Sequence, residues 1–264
     1  MPRFNANITM LFQEVEFLDR FKAAAQAGFK GVEYLFPYDY AAADLVDALK
    51  SNGLIQVLHN LPAGDWAAGE RGIASLPDRV SEFQDSVGRA IDYATALGCP
   101  QVNCLAGIPG PDVAPEKAHE TFVENLMFAA PRFDDAGVKL LVEAINTRDI
   151  PGFFLSTSAQ AEKVLADVDH DNLYFQYDAY HMQIMEGDLC RTVERLLDRI
   201  PHIQIADNPG RHEPGTGEIN YPHFFRHLDA IGYQGWVGCE YVPATKTVEG
   251  LGWLRAAEAA SKAA

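Results

Sequence analysis

An acid and an imidazole at the end of a β-type run set the chemical question. In the stretch FQYDAYHMQ (175–183) the run ends in Asp178, and His181 follows three residues later. Burying an acid there is costly unless a cation, a proton or a donor meets it. Other apolar runs close in the same manner, on Glu33, His59, Asn103, Glu143, Gln204 and Glu240. Any one of these alone is equally compatible with capping a neighbouring helix. Gathered at one point, the carboxylates of Glu143, Asp178 and Glu240, with Gln204 among them, would repel one another. Either a divalent ion relieves that repulsion or one carboxyl stays protonated. An oxygen-rich ligand set favours Mg²⁺ or Mn²⁺ over Zn²⁺, which recruits more His and Cys.

Two carboxyls on opposite sides of a hydroxy-carbonyl group can move a proton between adjacent carbons, one removing it and the other returning it. That is isomerisation of the aldose–ketose type or epimerisation, in which each acid or base contributes about 10²–10⁴-fold. Glu143 and Glu240 are the expected pair. His181 could reach over the same point beside Asp178, or cap a helix. Arg211, in a long loop, could clamp a substrate carboxylate bidentately or simply be solvated.

Such convergence needs a fold that brings strand ends together. Eight β-type runs are legible: FNANI (4–8), GVEYLF (31–36), LIQVLH (54–59), QVNCL (101–105), KLLVEAI (139–145), LYFQYD (173–178), HIQIA (202–206) and WVGCEY (236–241). Between them lie windows such as EFLDRFKAAAQAG, DRVSEFQDSVGRAIDYATALG, EKAHETFVENLMFAAPRFDDAG and FFRHLDAIG, with apolar residues at helical spacing and a terminal Gly. Repetition of strand then helix predicts an α/β fold. The expectation is a single (β/α)8 TIM barrel over residues 1–264, with its active site at the C-terminal ends of the strands. A doubly wound open sheet is the competitor, but neither GxGxxG nor GxxxxGK[ST] follows any strand, so no nucleotide cofactor is expected. Long connections at 60–78, 146–158 and 206–222 all follow strand C-terminal ends, and loops of that length are commonly functional.

Composition narrows the partners. The chain has 264 residues, 48% of them hydrophobic, enough for one large core. Its formal charge of −16 repels phosphate backbones and anionic lipids, so neither nucleic acid nor membrane is expected as a partner. A small anion remains acceptable where a local cation overrides that field. Cys99, Cys104, Cys190 and Cys239 form no CxxC pair and read as reduced thiols. The first residues lack a continuous apolar segment and no long uncharged apolar run occurs, which predicts a soluble cytoplasmic protein. No GxSxG motif supports nucleophilic serine chemistry. The segment PGTGE (214–218) reads as a tight loop, and His170, His202, His223 and His227 are assigned no chemistry, His202 because it begins its strand at the end opposite the expected site.

The segments HNLPAGDWAAGERGI (59–73), QYDAYHMQ (176–183), QIADNPGRHEPGTGEINY (204–221) and GWVGCEY (235–241) closely resemble hydroxypyruvate isomerases, within the xylose-isomerase-like TIM-barrel superfamily. The resemblance covers nearly the whole chain. It implies that Glu143 and Glu240 are proton donor and acceptor, and that Glu143, Asp178, Gln204 and Glu240 match the positions that hold a divalent metal in related epimerases. The third of these is an amide here where the epimerases have an imidazole, so metal affinity would be weaker. The resemblance further implies that His181 and Arg211 bind substrate oxygens, while His59 and the 60–73 loop with Glu70 close over them. The implied substrate is a small anionic hydroxy-oxo acid, hydroxypyruvate or a four-carbon 2-oxo-tetronate, and a homo-oligomer is compatible with it. Rival expectations are a sugar epimerase or inosose dehydratase, a zinc endonuclease of the same superfamily, which the charge opposes, and a non-catalytic sugar-acid-binding barrel, which would not need opposed acid and base groups.

Overall fold

The computed structural model describes residues 2–262, so the outermost residues of the expected 1–264 domain, Met1, Ala263 and Ala264, lie outside the described residues. Eight strands close in chain order into a parallel barrel: β1 (Arg3–Asn7), β2 (Gly31–Glu33), β3 (Ile55–Asn60), β4 (Gln101–Cys104), β5 (Lys139–Glu143), β6 (Leu173–Asp178), β7 (His202–Ile205) and β8 (Trp236–Cys239). The fold class is the expected (β/α)8 barrel. Helices α1 (Phe17–Gln26), α2 (Ala42–Asn52), α3 (Val80–Leu97), α4 (Pro115–Asp135), α5 (Ser158–Val168), α6 (Ala179–Met185), α7 (Leu189–Arg195), α8 (Tyr221–Ala230), α9 (Thr247–Gly250) and α10 (Gly252–Lys262) supply the connections.

Local chemistry sets the helix ends. Thr157 caps α5 by accepting from the Gln160 N–H, and Asn220 caps α8 by accepting from that of His223. Gly98 ends α3 at φ 62°, a left-handed conformation that costs glycine little. Three strands stop two or three residues short of their apolar runs, β2 at Glu33, β5 at Glu143 and β8 at Cys239. Past β5 the side chain of Asn146 accepts from the N–H groups of Arg148 and Asp149 and turns the chain; Pro37 and Pro243, which lack an N–H, follow the other two ends. Burial continues beyond the ladder, and that is why these residues read as strand.

Two compact units make up the chain, residues 1–34, 47–57 and 177–264 in one and residues 35–46 and 58–176 in the other. The first is built on Phe21, Tyr34, Tyr221 and Phe224, all fully buried, and on a ring cluster in which Phe4 meets Phe225 at 5.0 Å and Trp253 at 5.2 Å. The second is built on Phe83, Phe122, Phe133 and Phe175. Burying each such ring contributes about 1.5–3 kcal/mol. Among the described residues no helix is long and apolar enough to cross a membrane.

Candidate active site

Register determines which side chains share a face. On β1, Asn5 lies level with Gly238 of β8 and Asn7 level with Glu33 of β2; Gln204 of β7 is also level with Gly238. Alternation along a strand then puts Asn5 with Asn7, His202 with Gln204, and Gly238 with Glu240 on one side.

Asp178 ends β6 and begins α6 in a single residue. Its Oδ1 accepts from the backbone N–H groups of Tyr180 (2.7 Å) and His181 (3.4 Å), the N-cap of α6. Its Oδ2 is buried without a hydrogen-bond partner and lies 3.5 Å from His181 Nε2. Burial raises the Asp178 carboxyl to about 6, against the lowering field of Arg211. Burial also holds His181 well below its ordinary value, so the ring is neutral.

Glu240 follows the last residue of β8. Its Oε2 accepts from Arg211 Nη2 (2.9 Å) and its Oε1 from Asn7 Nδ2 (3.1 Å). Burial raises it to about 8, opposed by Arg211 and reinforced by the charges of Asp178 and Glu33. Arg211 adopts a left-handed backbone at φ 53°, unusual outside glycine, and its guanidinium carbon lies 5.2 Å from the Tyr180 ring centroid. The loop that carries it is organised by buried Asp207, which accepts from the N–H groups of Asn208, Gly215 and Ile219.

Gln204 does not stand alone either. Its Nε2 donates to Glu33 Oε1 at 2.7 Å. Glu33 is fully buried; its desolvation is outweighed by the His202 charge and by hydrogen bonds from His202, Gln204 and Asn5, which together hold the carboxyl below its ordinary range.

In the second unit, Glu143 Oε2 accepts from Asn103 Nδ2 at 2.9 Å, and Asn103 Nδ2 also meets Asn60 Oδ1 at 3.2 Å. His59 is buried, which lowers it to about 4 and leaves a neutral ring. Its Nδ1 lies 3.1 Å from the Asn60 carbonyl and 3.4 Å from Tyr38 Oη, and its Nε2 has no partner. Glu70 sits in the 60–78 loop with its carboxylate engaged inside that loop, accepting from Arg79 Nη1 (2.7 Å) and the Asp65 N–H (2.5 Å). Arg71 stacks over Trp66 with its guanidinium carbon 4.1 Å from the ring centroid.

Within one unit Asp178 and His181 offer a carboxylate oxygen and an imidazole nitrogen 3.5 Å apart, and Glu143 offers a buried carboxylate in the other. The unpartnered Asp178 Oδ2 and the neutral imidazole of His181 beside it fit a divalent cation. The expected set contained Gln204 and Glu240 instead of His181; in this structure Gln204 faces Glu33 and Glu240 faces Arg211 and Asn7. Asn5, Asn7, Asn60 and the pairing of His202 with Glu33 are absent from the sequence expectations. The visible signal was the alternation in FNANI and HIQ, which sets two polar side chains on one strand face.

A closed parallel barrel with buried carboxyls where its strands end defines an enzyme of the (β/α)8 class, whose chemistry sits on that face. More narrowly, the chain belongs to the xylose isomerase-like TIM barrel family, whose profile matches residues 21–257, and within it to the hydroxypyruvate isomerases and 2-oxo-tetronate isomerases. It is 54% identical to hydroxypyruvate isomerase of Escherichia coli (strain K12), over 96% of this chain and 98% of that one. It is 49% identical to 2-oxo-tetronate isomerase of Cupriavidus necator, over 97% and 98%. A crystal structure described as an AP endonuclease, family 2, from Brucella melitensis superposes with a TM-score of 0.95 at 47% identity, covering 97% of this chain and 99% of that one. The chain is an enzyme of the isomerase class.

Proposed function

We propose that the chain interconverts hydroxypyruvate and tartronate semialdehyde by proton transfer between Glu143 and Glu240. The observation that carries this is the pair of buried carboxyls in different surroundings, one fixed by an amide and one raised to about 8 by burial. Starting from hydroxypyruvate, Glu143 takes a proton from the hydroxymethyl carbon, leaving an enediolate. Glu240, whose carboxyl burial raises above the ordinary range, returns a proton to the neighbouring carbon, and the hydroxyl proton passes from one substrate oxygen to the other. In reverse the two glutamates exchange roles. Arg211 meets the substrate carboxylate, His181 and His59 position its oxygens as neutral imidazoles, and the 60–73 loop with Glu70 covers it. Glu143, Asp178, Gln204 and Glu240, with His181 beside them, would hold a Mg²⁺ or Mn²⁺ ion, which when bound supplies positive charge to the substrate oxygens.

The second substrate is a four-carbon 2-oxo-tetronate, supported by the 49% identity to an enzyme named for it. The same proposal takes residues 1–264 as one domain, cytoplasmic, able to form a homo-oligomer and without nucleic-acid, membrane or nucleotide partners. The net charge of −16 supports the absence of nucleic-acid and membrane partners. Proton NMR in D₂O, with each acid and a no-enzyme control, tests the assignment. Enzyme-dependent deuterium entry at the hydroxymethyl carbon, with tartronate semialdehyde appearing, is the expected result; exchange with the tetronate alone selects the second substrate, and exchange with neither overturns both.

A further inference from the structure

Four nitrogens surround the buried carboxylate of Glu33. Gln204 Nε2 (2.7 Å) and Asn7 Nδ2 (3.2 Å) donate to Oε1 and Asn5 Nδ2 (2.7 Å) donates to Oε2, while His202 Nε2 lies 2.7 Å from Oε2. A carboxylate offers about four acceptor positions; three of these are taken by amide donors and His202 lies against the remaining side, so Glu33 faces its neighbours and not the substrate. Room for it is made by Gly238, where a Cβ would fall 2.4 Å from Glu33 Oε1. Interior ion pairs of this kind are seldom favoured over apolar packing for stability alone. Their value here is directional. An ionised carboxylate only accepts, so Gln204 must turn its NH₂ toward Glu33, and its oxygen points the other way. Asn7 is fixed likewise: its Oδ1 accepts from the Thr9 N–H (3.1 Å), and its NH₂ spans Glu33 and Glu240 Oε1 (3.1 Å).

We propose that Glu33 is a positioning residue that orients the Gln204 amide oxygen toward the divalent ion and holds Glu240 through Asn7. The inference rests on the metal-site proposal above and adds to it the device that decides which end of the amide is presented. Outer contacts of this kind are typically worth about 10–100-fold in metal affinity.

The test uses Glu33→Gln, which has the same shape but turns one acceptor oxygen into an NH₂ facing donors, and the double variant Glu33→Gln with Gln204→Glu, which restores donor to acceptor. The first readout needs no metal. In the ion-free protein labelled with ¹⁵N at glutamine side chains, the Gln204 NH₂ signals are assigned by their loss in Gln204→Glu. Wild type is expected to show a Gln204 amide proton protected from solvent exchange, and Glu33→Gln to lose that protection. The second readout is Mn²⁺ binding by electron paramagnetic resonance, with folding followed by circular dichroism. Glu33→Gln should bind about 10-fold or more weakly and the double variant should recover most of the loss. An unprotected Gln204 amide in wild type overturns the proposal whether or not the variants fold. So does retained protection in Glu33→Gln, or a double variant as weak as the single. A protected amide in a wild-type protein that binds no Mn²⁺ supports the orientation by Glu33 and removes the metal site instead.

Discussion

Asp178 divides its two oxygens between two tasks, and that division can be tested by substitution. Oδ1 caps α6, and asparagine caps as well as aspartate; Oδ2 is the unpartnered atom beside His181. Asp178→Asn is therefore expected to raise the melting temperature of the ion-free protein at neutral pH, where the buried carboxylate is ionised at a cost, while losing most affinity for Mn²⁺, measured by titration. Asp178→Ala removes the cap too, about 1 kcal/mol, or about 2–4 °C in melting temperature for a chain of this size. The glutamate pair is tested in the same spirit. Glu143→Gln or Glu240→Gln should lower kcat by about 10²–10⁴-fold with an unchanged circular dichroism spectrum. Rates near wild type in both variants would remove the two-glutamate mechanism.

At the scale of elements, the strands and the long loops were legible because burial on both faces of a parallel strand leaves an apolar run with few interruptions. Where each strand stops was less so, since Asn146 and the prolines at 37 and 243 end the ladder inside apolar surroundings. The candidate carboxylates, with Asn103 and Gln204, were legible at the strand ends; the polar residues of β1 and His202 were not. Glu143, Asp178 and Glu240 stand out as acids in apolar segments, whereas Asn5, Asn7 and His202 matter through a register between β1, β2, β7 and β8 that no local pattern states. The 60–78 loop is seated on backbone. A Cβ at Gly72, where φ is 115°, would lie 2.3 Å from the Leu105 carbonyl oxygen. Gly72→Ala is expected to destabilise by about 1–3 kcal/mol in a denaturant titration, and Gly110→Ala, which meets nothing within 4 Å, to leave stability nearly unchanged.

For the whole molecule the raised carboxyls set a pH dependence whose sign is fixed. Asp178 is raised from 3.8 to about 6 and Glu240 from 4.5 to about 8, so between those limits the folded state holds protons that the unfolded state has released. Their contribution to ion-free stability is full at the acid end and is lost as pH rises through about 6 and then about 8. Melting temperatures of the ion-free protein should fall across that window, Mg²⁺ or Mn²⁺ should offset the fall, and Glu240→Gln should flatten its upper half. The net charge of −16 bears on the structural match described as an endonuclease: cleavage of duplex DNA containing an abasic site, followed on a denaturing gel, is expected to be absent.

Arg211 holds its guanidinium against Glu240 from a backbone conformation that glycine or asparagine would adopt with less strain. The substitutions best suited to that backbone are thus the ones that delete the charge. At this position the demands of a restful fold and of turnover pull apart, so a variant library screened for heat resistance alone would drift toward Gly or Asn at 211 and return sturdy, slow enzymes.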